Sequence, residues 1–489
     1  MRQKSILIYR PNDRMVTEEN GTSNYLDEPR LPYSLSVVAA FLRNNNYFVQ
    51  AYDALASNDD VEKAKNKLLK YKPEILIIPT NIVACDLSLG GIEEIKRKTG
   101  CKVISLINLD FAEEILTRFQ FLDFVIRYEW AGATKGLLDF LHGKISKIEE
   151  VKGIFYRDKG NKIVNTPPKE HLNINQRPLP AFDLFPMKDY LTYTIETSLG
   201  CPHHCIFCPF GHYPKTGWEG KDIDKVILEI KEMFRYGKKL ILFLDNETTA
   251  DSTWCKGLLQ GIIEEKLDIE GDTNIRASSI DEEMVALLVK AGITRVGIGA
   301  ESGVQEILNK NLKELTLEQI KNAFFLLKKY GIVANVYFLM GLLGDTKETI
   351  KETYRFITQE LKAYQASFDI VIPYPGTPMY RLLKQKGWIE KLTIDNLIWI
   401  YKNLYHYPNL KNFEGEKPNW RLDNLTFDDL LELFFEYYPK VYKSPTRSLA
   451  MTNIKRGKIF QKATRMIIKN PKKFFQLTKD LFFPKKTKF

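Results

Sequence analysis

Short apolar runs alternate with amphipathic segments over the first 150 residues of the chain. Five of these runs have the length and composition of buried strands, at 5–9, 48–53, 75–78, 102–107 and 122–126. Helical spacing of apolar positions separates them, at 33–45, 61–71, 87–99, 111–119 and 132–142. Five strands alternating with helices predict an α/β fold with a doubly wound parallel sheet.

A second alternating series begins at residue 193. Its six strand-like runs lie at 193–197, 239–246, 274–278, 294–300, 334–340 and 367–373. Helical patterns separate these runs, which predicts a series of six βα repeats. Such a series suits a partial parallel barrel better than a flat sheet, and in a barrel the functional residues gather at the C-terminal ends of the strands.

The segments around the two series set the domain boundaries. Residues 152–165 predict a β-hairpin, and prolines at 167, 168, 178, 180 and 186 mark a linker. From residue 388 the sequence is aromatic and poorly periodic, and after residue 427 it becomes helical. We therefore expect an α/β domain at 1–150, a hairpin and linker at 151–190, a partial barrel at 191–385, and a helical C-terminal region at 386–489.

The net charge of +10 is concentrated at the C-terminus. Residues 440–489 contain 15 Lys and Arg against one Asp, so the remainder carries 56 basic and 60 acidic residues. Phe474, Phe475, Phe482 and Phe483 lie among the lysines of this tail. The mixture predicts a helix that lies on an anionic membrane surface, and no nucleic acid partner is expected. A solvated basic surface is the alternative.

Composition excludes several classes of protein. With 44% hydrophobic and 12% aromatic residues the chain can build cores, so it is not globally disordered. Six cysteines are too few for a disulfide framework in a chain of 489 residues. No apolar run approaches the roughly 18 residues of a membrane span, and the first apolar run is too short for a signal peptide. We expect a cytoplasmic protein, with peripheral contact at the inner face of the membrane.

Three of the cysteines form the motif Cys201-Pro-His-His-Cys205-Ile-Phe-Cys208, on a loop after the first barrel strand. Three thiolates on one loop can converge on one centre, and they favour an iron–sulfur cluster, Zn²⁺ or Cu(I). Zinc normally takes a fourth protein ligand, and no second cysteine pair exists. His203 or His204 could complete a zinc site, whereas three ligands on a four-iron cluster leave one iron open.

A C-x₃-C-x₂-C motif at the end of the first strand of six βα repeats resembles the radical S-adenosylmethionine superfamily. The resemblance implies a [4Fe–4S] cluster held by the three cysteines, with S-adenosylmethionine bound at the open iron. It also implies an oxygen-sensitive enzyme in which reductive cleavage of S-adenosylmethionine gives a 5′-deoxyadenosyl radical that abstracts a substrate hydrogen. An electron donor such as flavodoxin or ferredoxin would then be a partner.

The same resemblance assigns cofactor-binding residues, because similar segments end the other barrel strands in the family's order. These residues are Phe207, Asp245, Asn246, Glu247, Arg276, Ser278, Gly299, Glu301, Ser302, Met340, Ile372 and Pro373. No catalytic residue is assigned beyond the cluster ligands. The segment after strand two is acidic where many members have Gly-Gly-Glu. A helix N-cap is the structural alternative for Asp245 and Asn246, and an ion pair for Arg276.

The first domain resembles the Rossmann-like domain of the cobalamin-dependent branch of this superfamily. The resemblance lies in the segment from Leu31 into the first helix and in the hairpin segment from Gly153 to Arg157. It implies a corrinoid at the C-terminal edge of the parallel sheet, with Thr80 and Asn81 as neighbours. No Asp-x-His-x-x-Gly motif is present, and bulkier residues replace glycines usual after strands four and five. A fold that has lost the corrinoid is therefore the alternative.

The sequence thus predicts a radical S-adenosylmethionine enzyme that functionalises an unactivated carbon by cobalamin-dependent methylation. The first alternative is corrinoid-free C–C bond formation, cyclisation or rearrangement, for example on a lipid. The remote alternative is a zinc-stabilised nucleic-acid-binding protein. The sequence leaves the substrate open among small molecules, lipids and peptides. The three isolated cysteines, Cys85, Cys101 and Cys255, are expected to be core residues.

Overall fold

The computed structural model describes residues 5–13, 29–210, 217–406 and 415–441. The basic tail beyond residue 441, with the helix predicted there, lies outside these residues. Two parallel sheets form the framework, one from each alternating series. This arrangement confirms the α/β fold class.

The first sheet has seven strands in the order β2-β1-β3-β4-β5-β6-β7. They are β1 (Ile6–Arg10), β2 (Val49–Asp53), β3 (Ile75–Pro79), β4 (Lys102–Ile107), β5 (Phe124–Arg127), β6 (Ile154–Arg157) and β7 (Ile163–Asn165). The first five are parallel, as expected for a doubly wound sheet. The hairpin of β6 and β7 continues this sheet in antiparallel pairing, so it packs with the first domain.

Seven helices accompany these strands. They are α1 (Tyr33–Asn44), α2 (Ala54–Ser57), α3 (Val61–Tyr71), α4 (Cys85–Ser88), α5 (Ile92–Thr99), α6 (Ala112–Arg118) and α7 (Trp130–Leu141). The single helix predicted over 87–99 is wrong. Gly91 adopts a left-handed conformation with φ +74°, which separates α4 from α5.

The second sheet has six parallel strands in the order β15-β14-β13-β12-β11-β8. Its strands are β8 (Thr192–Ile195), β11 (Leu240–Phe243), β12 (Glu270–Ile275), β13 (Ile293–Glu301), β14 (Val333–Met340) and β15 (Gln365–Ile370). Between β8 and β11, the strands β9 (Ser198–Gly200) and β10 (Trp218–Gly220) form a separate antiparallel ribbon. The third strand was predicted at 274–278 but ends at Ile275. Residues Ala277–Ser279 form a 3₁₀ turn instead.

Nine further helices follow in the described part of the chain. They are α8 (Ile223–Phe234), α9 (Ser252–Glu264), α10 (Glu282–Lys290), α11 (Gln305–Lys310), α12 (Leu317–Lys329), α13 (Lys347–Arg355), α14 (Pro378–Gln385), α15 (Ile394–Ile400) and α16 (Phe427–Val441). Neighbouring helices α8, α9, α10 and α12 pack against one another, and α16 covers β15. Six parallel strands in sequence order with helices packed on them match the expected partial barrel.

The two sheets are joined through direct contacts. The Thr194 hydroxyl donates a hydrogen bond to the Leu31 carbonyl at 2.6 Å, and the Leu31 N–H donates to the Thr192 carbonyl at 3.1 Å. Helix α15, which sequence patterns did not predict, packs on residues Ile82–Ala84 of the first domain. No helix in the described part of the chain combines the length and hydropathy that a membrane crossing requires.

Candidate functional site

The cysteine loop follows β9 at the C-terminal end of the barrel. Two backbone hydrogen bonds fix its middle: the Ile206 N–H donates to the Asn311 carbonyl at 3.3 Å, and the Met379 N–H donates to the Ile206 carbonyl at 3.0 Å. Cys205 is buried, and Cys201 and Cys208 are half-buried. The sequence therefore folds into a loop whose position is set by two other parts of the barrel.

The three thiols lie close enough to influence one another's titration. Burial, Glu247 and the other two thiols raise the pKa of Cys201 to about 11. Burial also raises the pKa of Cys205, against the effect of Lys313. Thiols with raised pKa values need a positive centre to become thiolate ligands, and an iron–sulfur cluster or another metal centre supplies it. The donor set of three sulfurs on one loop fits a cluster with one open iron.

Glu247 and His203 lie beside the first cysteine. The His203 Nε2 atom is 2.9 Å from Glu247 Oε2, and Cys201 Sγ is 3.9 Å from the same oxygen. Ligand atoms of these three residues lie within 4.8 Å of one another. This possible metal site uses only one thiol, whereas the motif supplies three. An iron–sulfur cluster therefore accounts for the three cysteines better than a metal ion held by this set does. The sequence offered His203 only as a possible zinc ligand, and its contact with Glu247 was not predicted.

Asp245 uses its carboxylate within the protein. It is 1% exposed and accepts hydrogen bonds from the backbone N–H groups of Thr197 and Ser198 at 2.7 and 2.8 Å. The hydroxyls of Thr197 and Thr248 donate to its other oxygen. These contacts occupy the carboxylate within the protein, but they are not those of a helix N-cap, since Asp251 caps α9. Its neighbour Asn246 is exposed at the same strand end.

A buried group of charges lies under the cysteine loop. The Arg276 guanidinium donates to the carbonyls of Lys313 and Glu314, and Lys313 Nζ is 2.9 Å from Glu301 Oε1. Although burial disfavours the Lys313 ammonium, Glu301 and Cys205 raise its pKa. Arg276 thus positions the loop after α11 through two carbonyls, where an ion pair was the structural alternative. Lys313 was not predicted, because no strand end or motif marks it.

The other predicted residues fall into exposed and enclosed sets. Three of them are exposed or half-buried at the strand ends: Ser278, Gly299 and Ile372. Buried are Phe207, Glu301, Ser302, Met340 and Pro373. The Ser302 hydroxyl is 3.2 Å from the Thr353 hydroxyl and accepts from the Val304 N–H, so it is already occupied. The strand ends therefore bring these residues to one end of the barrel without showing which of them contact a cofactor.

The C-terminal edge of the first sheet is turned towards the same region. A Cβ atom at Gly376, in the loop before α14, would lie 3.9 Å from Asp110 Oδ2. Asn81, Asn108 and Asp110 are exposed on this edge, while the Thr80 hydroxyl is buried and 2.7 Å from the Ser105 hydroxyl. The edge fits a corrinoid by position and exposure. No histidine lies in the described loops after β1 to β5, so these loops offer cobalt no imidazole.

Comparisons with known proteins bear on this site. Residues 195–357 match the family model described as the Radical SAM superfamily, and the match includes all three cysteines. An uncharacterized methyltransferase of Pyrococcus horikoshii is 27% identical over 434 residues, covering 85% of this chain and 89% of the relative. The segment 195–357 is thus a radical SAM domain, and such a domain implies a [4Fe–4S] cluster, S-adenosylmethionine and a reductant.

Two solved structures share the fold. The cobalamin-dependent S-adenosylmethionine radical enzyme OxsB, with aqua-cobalamin and S-adenosylmethionine bound, matches with a TM-score of 0.66 and 20% identity over 79% of this chain and 61% of that one. The radical S-adenosylmethionine methyltransferase TsrM of Kitasatospora setae matches with a TM-score of 0.64 and 17% identity over 78% and 75%. These matches show the shared fold. Taken with the family match and the methyltransferase relative, the findings do not favour the corrinoid-free or the zinc-scaffold alternative.

Proposed function

We propose that this chain is a cobalamin-dependent radical S-adenosylmethionine methyltransferase that acts on an unactivated carbon. One observation carries the proposal. The segment 376–379 touches both halves of the molecule, because Gly376 lies next to Asp110 on the edge of the first sheet and Met379 bonds to Ile206 in the cysteine loop. A corrinoid at that edge and a cluster in that loop would therefore share one crevice. The names of the relatives support methyl transfer.

When bound, the cluster with S-adenosylmethionine supplies a 5′-deoxyadenosyl radical, and the corrinoid supplies the methyl group. The chain's own residues bind and orient these groups. Cys201, Cys205 and Cys208 would hold the cluster, and Asn246 and Glu247 would meet the amino group of S-adenosylmethionine. Ser278, Gly299 and Ile372 would border the rest of that molecule. Thr80 and Asn81 would lie next to the corrinoid.

We assign the parts of the chain as follows. Residues 1–150 form the corrinoid-binding domain, 151–190 a hairpin and linker, 191–385 the radical barrel, and 386–489 a C-terminal region. Flavodoxin or ferredoxin would supply the electron. Peripheral membrane contact would come from the basic tail, which lies outside the described residues. Sedimentation with phosphatidylglycerol vesicles tests this contact, and equal binding by the full chain and by a chain ending at Val441 would contradict it.

Anaerobic reconstitution tests the central proposal. We expect broad iron–sulfur absorbance, reductive cleavage of S-adenosylmethionine to 5′-deoxyadenosine, and retention of hydroxocobalamin after gel filtration. Cys201→Ala, Cys205→Ala and Cys208→Ala should each abolish cleavage, and Cys255→Ala is the matched control because that thiol is buried in α9. Unchanged cleavage in the three loop variants would overturn the radical assignment. Cleavage without retained corrinoid would overturn the cobalamin assignment alone.

A further inference from the structure

The inner face of the barrel wall is open to water. On β14 and β15 the rings of Phe338 and Phe368 face the helices, since they pack on each other at 6.5 Å and Phe368 packs on Tyr437 of α16 at 6.5 Å. Alternate residues of a strand point to opposite faces, so Tyr337 and Asp369 face inwards. Tyr337 is 37% exposed although it lies in mid-strand. Side chains therefore do not fill the interior beside Tyr337, unlike the core of a complete barrel, and this open inner space is called the cavity below.

Polar side chains line this cavity. Gly297 of β13 makes room for them, because a Cβ atom there would lie 2.4 Å from Asn274 Oδ1 and 2.9 Å from the Tyr337 hydroxyl. Further from the C-terminal end, Arg295 Nε is 3.2 Å from Asp272 Oδ2. An alkyl chain in this space would desolvate these groups without satisfying them, which disfavours a lipid.

Two other carboxylates on the inner strands have cationic partners, as Asp272 pairs with Arg295 and Glu301 with Lys313. Asp369 differs from them.

Within the described residues Asp369 forms no ion pair. The Ser367 hydroxyl lies against its carboxylate and is buried, without a hydrogen bond of ordinary geometry to any described residue. Burial raises the pKa of Asp369 to about 6, which still leaves the group mostly ionised at pH 7.5. An unbalanced negative charge on a half-buried side chain attracts a cation.

We propose that the cavity binds a small polar substrate whose ammonium group is held by Asp369, with Ser367 and Tyr337 as hydrogen-bonding neighbours. Asp369 lies one residue before the end of β15, at the end of the barrel that carries the cysteine loop. A molecule held there would have its adjacent carbons near the proposed cofactors. The methylation of this substrate rests on the proposed function, whereas its binding does not.

Equilibrium dialysis of the full chain tests the inference with matched pairs of probes. The pairs are glucosamine with glucose, tyramine with 4-hydroxyphenylethanol, and cadaverine with 1,5-pentanediol. We expect the wild type to retain at least one amine about tenfold better than its neutral partner, a preference that Asp369→Asn should lose. Asp423→Asn, at an exposed pair with Lys386, is the control and should keep the preference.

The inference is overturned if the wild type prefers no amine, or if Asp369→Asn keeps the preference. Circular dichroism and iron content establish that the Asp369→Asn chain is folded and loaded. The two proposals fail separately. An amine preference without retained hydroxocobalamin would remove the methyltransferase assignment only, and corrinoid retention with 5′-deoxyadenosine formation but no amine preference would remove the substrate inference only.

Discussion

The Asp245 carboxylate accepts a hydrogen bond from the Thr197 backbone N–H at 2.7 Å, which ties the end of β11 to the segment that leads from β8 into the cysteine loop. The Ser198 N–H donates to the same oxygen at 2.8 Å. Burial raises the pKa of Asp245 to about 6, and no cation pairs with it among the described residues. Its hydrogen bonds therefore hold the bend that precedes the three cysteines.

Asp245→Ala should lower the cluster content of the chain. The change leaves two buried N–H groups without an acceptor, at a cost of about 1–3 kcal/mol for each. We expect iron and sulfide per chain to fall at least threefold after anaerobic reconstitution, and Asp245→Asn to be intermediate because one acceptor oxygen remains. Asp423→Asn serves as the surface control. Full iron loading in Asp245→Ala would show that the bend holds without this carboxylate.

A second buried carboxylate lies at the end of β14. Asp345 accepts from the backbone N–H groups of Gly341 and Leu342 at 3.0 and 2.9 Å and from the Thr349 hydroxyl at 2.8 Å. Burial raises its pKa to about 7. When a carboxyl group has a higher pKa in the folded than in the unfolded state, the folded protein becomes less stable as the pH rises from the unfolded pKa to the folded pKa.

Asp345→Asn should therefore stabilise the chain more at pH 8 than at pH 5. The amide keeps an acceptor oxygen for the two N–H groups and has no charge to bury. Between pH 5 and pH 8 the free energy of unfolding of the wild type falls by about 2–3 kcal/mol, whereas that of the variant does not. This figure follows from about 1.4 kcal/mol for each unit of pKa difference. Thermal unfolding followed by circular dichroism measures the difference in Tm. A difference that is the same at both pH values would contradict the raised pKa.

Much of the fold could be predicted, because the spacing of apolar residues and the length of apolar runs are local properties of the sequence. All six strands of the barrel and the five parallel strands of the first sheet lie within a few residues of their predicted positions. Helix α15 was missed, since its aromatic and apolar residues are buried nearly all round and show no amphipathic period. The break at Gly91 was also missed, because a left-handed glycine looks like any other glycine in sequence.

The candidate site could be predicted only in part. The cysteine spacing identifies the cluster loop, but the contacts between distant segments are not visible in any motif. His203 meets Glu247 across 44 positions of sequence, and Lys313 reaches Glu301 from the loop after α11. Asp369 has no signature in sequence, because its distinction is that among the described residues it has neither a cationic partner nor a backbone N–H donor.

A buried network links the two domains. Lys221 Nζ donates to the Tyr33 hydroxyl at 2.6 Å and is 2.8 Å from Glu229 Oε1, and the Tyr33 hydroxyl donates to Glu229 Oε2 at 2.7 Å. The Lys221 and Glu229 side chains are 3% and 6% exposed. The network joins α1 of the first domain to α8 of the barrel.

Lys221→Met should destabilise the chain by about 3–5 kcal/mol, because it leaves the Glu229 carboxylate buried without its cation. The double variant Lys221→Met with Glu229→Gln should recover part of this loss, since the amide is neutral and still accepts from Tyr33. Urea unfolding of both chains measures the coupling. A double variant that is less stable than Lys221→Met would show that the charge on Glu229 is not the cause.

Gly297→Ala should close part of the inner cavity while leaving the cluster intact. The new methyl group would overlap Asn274 Oδ1 and the Tyr337 ring, so Tyr337 must move towards the space assigned to the substrate. We expect at least tenfold weaker retention of the preferred amine in equilibrium dialysis, with unchanged iron content. Gly136→Ala is the matched control, because a Cβ atom there makes an ordinary contact of 3.6 Å with Val151. Amine retention equal to that of the control would mean that the substrate does not occupy the space beside Tyr337.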